Sequence, residues 1–80
     1  MDDNEIRSTI DQLVAEERIL RAEHELQPLD GERAARLQKL EESLDQCWDL
    51  LRQRRARREF GLNPDDTEVR DPNVVEHYRQ

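Results

Sequence analysis

The 80-residue chain has one cysteine, two glycines, three prolines, and a single Trp, Tyr and Phe. With Cys47 alone no intrachain disulfide can form, and secretion is not implied. Two glycines cannot build the loop that cradles a phosphate. No stretch approaches the roughly 18 apolar residues that cross a membrane. The opening Met1-Asp2-Asp3-Asn4-Glu5 lacks the basic and apolar regions of a signal peptide. We therefore expect a soluble, cytoplasmic protein with no membrane partner. Leu, Ile, Val and Phe together supply less than a quarter of the chain. That share lies just above the level below which a highly charged chain stays disordered. One domain is all this length allows, and a core made by one such chain is marginal.

Charge is abundant: 41% of residues are charged and the formal net charge is −7. An acidic surplus argues against a general nucleic-acid binder, which carries a basic one. The signs are unevenly spread. Residues 1–30 hold nine acids against three arginines, residues 31–60 hold eight bases against six acids, and the tail returns to acidic.

The scarce apolar residues are periodic, which favours folding over disorder. Ile6, Ile10, Leu13 and Leu20 fall on one face of a helix expected over about 4–26, with Val14 widening the stripe and Glu17 and His24 interrupting it. Asp2 or Asp3 can cap its first turn. Pro28 ends it, since the residue before a proline avoids helical geometry. After a turn at 27–31, with Asp30 as cap, a second helix is expected over about 31–59. There Leu37, Leu40, Leu44, Cys47 and Leu51 alternate in steps of three and four, a coiled-coil seam, with Trp48 flanking it and Leu50 turned toward another face. Beyond Leu51 the seam meets Arg54 and Arg58, and Gly61 is the natural stop. Residues 62–80 read as an acidic tail in which Asp71-Pro72 can start a short helix over 72–79.

A connection this short makes the two helices antiparallel neighbours, an all-α hairpin spanning 1–61. That places Asp2, Asp3, Glu5 and Asp11 beside Arg52, Arg54, Arg55, Arg57 and Arg58. Two helices do not enclose a core, and Ile19, Leu50 and Trp48 lie off the seam. We expect a second copy to cover them, giving a homodimeric four-helix bundle whose interface includes Ile6, Ile10, Leu13, Leu20, Leu37, Leu40, Leu44, Cys47, Trp48 and Leu51. Packing of the tail through Phe60, Leu62, Val69 and Tyr78 is the competing way to cover them.

Chemistry-bearing groups are sparse. Arg52-Gln53-Arg54-Arg55-Ala56-Arg57-Arg58 has the composition of a phosphate-contacting helix. The same run is also what a helix end needs against its dipole, with the acids of helix one as partners. The absence of interleaved aromatics and the acidic balance favour the second use. Cys47 lies on the apolar face, where cysteine is usually a small hydrophobe. Glu17 and His24 stand seven apart, unlike the three- and four-residue spacing of helical metal ligands, so a shared site with His77 is not expected. Ser8, Thr9, Ser43 and Thr67 lack a glycine elbow or histidine context. Acids near the bend (Glu23, Glu25, Asp30, Glu32) have the placement of a tip that presents carboxylates to a metal in a polymerase channel, and are equally ordinary surface and capping residues.

The stretch Gln46-Cys47-Trp48-Asp49-Leu50-Leu51-Arg52-Gln53-Arg54-Arg55-Ala56-Arg57-Arg58-Glu59-Phe60-Gly61 resembles a family of small actinobacterial proteins catalogued as a domain of unknown function. Leu13-Val14-Ala15-Glu16-Glu17 and Glu68-Val69-Arg70 extend the resemblance over nearly the whole chain. It implies a standalone helical protein of actinobacterial, cytoplasmic origin, and it transfers no activity or site residues. The expected protein is thus a non-enzymatic structural or protein-interaction protein without cofactor, metal or catalytic residues, whose partner is itself or another protein. The alternative is a nucleic-acid or transcription-associated regulator using Arg52–Arg58 or the acidic tip.

Overall fold

The computed structural model describes residues 2–28 and 30–79, with side chains described up to residue 75. Three α-helices are present among them: α1 (Asp3–Leu26), α2 (Gly31–Glu59) and α3 (Pro72–Arg79). Each begins on an aspartate. The Asp2 side chain accepts a hydrogen bond from the Glu5 amide at 2.8 Å, and Asp30 does the same for Arg33 at 2.9 Å. Asp71 accepts from the Asn73 amide at 2.9 Å, with Pro72 in the first helical position. These carboxylates satisfy amides that the helix itself leaves unpaired.

The helix ends are equally local. Gln27 swings to extended backbone before Pro28 and closes α1 by donating to the Glu23 carbonyl. At the end of α2, Gly61 adopts φ +69. The Leu62 amide then bonds the Arg57 carbonyl at 2.7 Å and the Gly61 amide bonds that of Arg58 at 3.1 Å. This paired pattern terminates the helix and needs a left-handed residue, which glycine adopts without a Cβ clash.

α1 and α2 run in opposite directions. Asp3 at the start of α1 meets Arg54 and Arg58 near the end of α2, while Glu23 meets Arg33 in the first turn of α2. Between these ends Arg36 pairs with Glu16 at 2.6 Å and Arg21 with Glu41 at 2.7 Å. Each exposed pair contributes roughly 0–1 kcal/mol, so together they bias direction more than they stabilise. The apolar seam lies between them. Ile6, Ile10, Leu44 and Leu50 form its buried cluster, with Leu13, Val14, Cys47 and Leu51 packed around it. Leu20 and Leu40 are also buried.

α3 packs on α2 and, among the described residues, not on α1. Its Val75 is completely buried. Of the tail residues considered for covering the hairpin, Phe60, Leu62 and Val69 are exposed, and the Tyr78 side chain lies outside the described residues. Among the described residues the tail thus closes through Val75 and a set of polar contacts, while Phe60, Leu62, Val69 and Val74 fall on the outer side of the returning chain.

The molecule measures 50 × 25 × 17 Å with a radius of gyration of 14.8 Å. A compact chain of this length would have about 12 Å. The slab is thin, and its stability rests on few side chains. We expect Leu44→Ala to cost about 2–5 kcal/mol in urea unfolding. Ile19→Ala, at a position 61% exposed, should cost less than about 0.5 kcal/mol. Equal effects at the two positions would contradict the seam described here.

Candidate functional site

The arginine block of α2 is largely consumed inside the fold. Arg54 is 6% exposed despite its charge. Its Nε donates to Asp3, and its Nη1 donates to the Asp65 carboxylate at 2.9 Å and the Pro64 carbonyl at 3.2 Å. One guanidinium thereby joins the start of α1, the end of α2 and the loop after it. Arg58 adds a second hold on Asp3 at 2.9 Å. Arg57 donates to the Asn63 carbonyl at 2.6 Å and lies 3.7 Å from Asp66. Arg55 faces outward and pairs with Glu59 at 3.2 Å. Of the acids expected opposite this block, Asp3 pairs with Arg54 and Arg58, while Asp2 caps α1; further partners are Asp65 and Asp66 from the tail and Asp49 and Glu59 from α2 itself.

A second polar cluster was not expected from the sequence. Asp49 is 2% exposed. It accepts from Gln53 at 2.8 Å, with Arg70 at 3.5 Å and Arg52 at 3.8 Å. Gln53 also donates to the Glu68 carbonyl at 2.8 Å, and Gln46 to that of Arg70 at 3.0 Å. The signal that could have revealed it is the spacing of Gln46, Asp49, Gln53 and Arg57. They recur in steps of three and four, as the leucines of the seam do, and mark a second covered stripe on the same helix.

The residues expected at a subunit interface divide into three groups. Ile6, Ile10, Leu20, Leu40 and Leu44 are buried within the single chain. Leu13, Leu37, Cys47 and Leu51 are half-buried at its edges. Trp48 remains 48% exposed. Burial pushes the Cys47 thiol above its ordinary value, which makes it a poor nucleophile at neutral pH.

Two concavities meet at Trp48, on one flank of the α1–α2 pair. One, of about 280 Å³, is lined by Asp3, Arg7, Leu51, Arg52, Arg55 and Arg58 besides Trp48. The other, of about 340 Å³, is lined by Glu17, Arg21, Glu41, Leu44 and Asp45 besides Trp48. The first is basic and the second acidic. Neither gathers catalytic groups: Thr9 donates its hydroxyl to the Glu5 carbonyl at 3.0 Å, and among the described residues no group of three or more His, Cys, Asp or Glu could hold a metal ion. Of the acids at the bend, Glu23 is engaged by Arg33 and Asp30 serves as a cap. The His77 side chain lies outside the described residues.

The Arg58 guanidinium, and after it that of Arg54, holds the Asp3 carboxyl below the usual carboxylate range. A folded pKa below the unfolded one stabilises above the unfolded value, about 3.9, and this stabilisation is lost as pH falls through the folded value. We expect Asp3→Asn to lower the melting temperature at pH 7. The difference from the unsubstituted protein, followed by circular dichroism, should narrow as pH falls below the unfolded carboxylate value. A gap that stays constant across this range would assign the effect of Asp3 to something other than its charge.

Comparison with known proteins gives relatives along the full length. The chain is 46% identical over 77 residues to the uncharacterized protein Rv0898c of Mycobacterium tuberculosis, an alignment covering 95% of this chain and 88% of the relative. The same figures hold for the uncharacterized protein Mb0922c of Mycobacterium bovis. No solved structure matches the chain. The family described as "Protein of unknown function (DUF2630)" matches residues 2–80, and with these relatives the chain belongs to that family of small actinobacterial proteins.

Proposed function

We propose that the protein acts as a small homo-oligomeric helical scaffold, in which the α1–α2 hairpin pairs with a second copy into a four-helix bundle and offers its outer faces to other proteins. The observation that carries this proposal is the half-exposed Trp48 between two concavities, on a chain whose aliphatic seam is already used internally. The exposed surface points the same way. It amounts to 6135 Å², against about 5,100 Å² for a compact monomer of this mass. A flank running the 50 Å length of the molecule offers on the order of the 800 Å² that each partner gives to a standard interface.

The proposal is non-enzymatic and cofactor-free. A thin helical pair lacks the enclosed pocket with convergent polar groups that catalysis uses. A cytoplasmic setting goes with it, since a chain with one half-buried thiol draws no stability from an oxidising compartment. A nucleic-acid role for Arg52–Arg58 finds less support. Arg54, Arg57 and Arg58 are engaged by Asp3, Asp65 and Asp66, and the net charge of −7 opposes a polyanion.

Sedimentation equilibrium at tens of micromolar should give twice the subunit mass of 9.6 kDa; a single-subunit mass over the accessible range rejects the scaffold. On heparin at moderate salt the protein should flow through, whereas firm retention would favour the polyanion role.

A further inference from the structure

The two concavities beside Trp48 carry opposite charge and share that side chain. Arg7, Arg52, Arg55 and Arg58 outnumber Asp3 in one, and Glu17, Glu41 and Asp45 outnumber Arg21 in the other. Along α2 the two are placed evenly about the tryptophan. Glu41 precedes Trp48 by seven residues and Arg55 follows it by seven, so all three share one face of the helix. At 1.5 Å per residue the backbone positions of Glu41 and Arg55 lie about 10.5 Å along the helix axis on either side of the tryptophan.

We propose that a second copy of this chain docks on the Trp48 flank about a two-fold axis near that side chain, so that Glu41 of each copy meets Arg55 of the other. A two-fold contact must be self-complementary, since every residue pair in it occurs twice. An even placement of opposite charges about a central residue meets that condition, because the rotation exchanges the two ends. The basic concavity of one copy then faces the acidic concavity of the other. The two Trp48 rings lie near the axis, where an aromatic pair has most apolar area to bury. Existing pairs do not block the arrangement. Arg55 donates to Glu59 and Arg21 donates to Glu41, with about half or more of each side chain in solvent, and exposed pairs exchange partners at little cost. The axis also sets direction: α2 of one copy runs antiparallel to α2 of the other.

This inference rests on the dimeric proposal above, and the test separates the two. Sedimentation of the full-length chain and the emission of its sole tryptophan would be followed over a concentration series. Wild-type emission should shift to the blue as Trp48 loses water on association. Glu41→Arg places two arginines together at both ends of the contact, and Arg55→Glu places two glutamates together. Each should weaken association at least tenfold while leaving the helical circular dichroism unchanged. The double substitution Glu41→Arg with Arg55→Glu restores opposite charges across the axis, and should bring the dissociation constant back to within about threefold of wild type. Equimolar mixing of the two single variants should restore association in the same way. A wild-type dimer whose dissociation constant is indifferent to either single substitution, or a double variant no tighter than the singles, would overturn this face while leaving the dimer. A wild type that stays monomeric throughout would overturn both.

Discussion

α2 is the helix that touches both of the others, and it has few apolar residues with which to do so. One face gives Leu40, Leu44, Cys47 and Leu51 to the seam with α1. Leu50, which the spacing set off the seam, joins that seam's buried cluster with Ile6, Ile10 and Leu44, and the face that receives the tail is left with a row of polar groups. The tail is therefore held through Asp49, Gln46, Gln53, Arg54 and Arg57. Burying such groups costs free energy unless each finds partners. Here they do: among the described residues, no buried side-chain nitrogen or oxygen lacks a hydrogen bond.

Arginine suits this work better than lysine. The guanidinium offers five donors in a planar fork, so Arg54 can bond Asp3, Asp65 and a backbone carbonyl at once. The result is a junction of three chain segments where a small protein has no room for another layer of leucines. It also explains how Arg54, Arg57 and Arg58 can sit in an acidic protein with their charge met by nearby carboxylates, while Arg55 faces outward. The carboxylates that give the chain its surplus of negative charge include the ones that neutralise the block.

With the seam and the tail contact accounted for, what stands out on the surface is the Trp48 flank. There the sole tryptophan is left half in water between a basic and an acidic hollow, and this is the arrangement on which the proposed pairing rests. The thinness of the slab adds to this, because a rod exposes more surface per residue than a sphere. The proposed function therefore rests on this surface and on the pairing it would support.

The all-α class and the helix ends were legible in the sequence because they depend on neighbours. An aspartate caps amides two or three residues ahead, a proline restrains the residue before it, and Gly61 supplies a left-handed conformation where the helix must stop. The period of the leucines likewise set which face of each helix turned inward. Other features waited on the returning chain. That Arg54 is buried while Arg55 faces water, that Asp49 is dry, and that Val75 rather than Phe60, Leu62 or Val69 closes the tail all depend on where residues 62–75 come to lie against α2. Neighbouring arginines and neighbouring valines carry the same chemistry. Only the position of a distant partner distinguishes one from the next, and tertiary structure alone fixes that position.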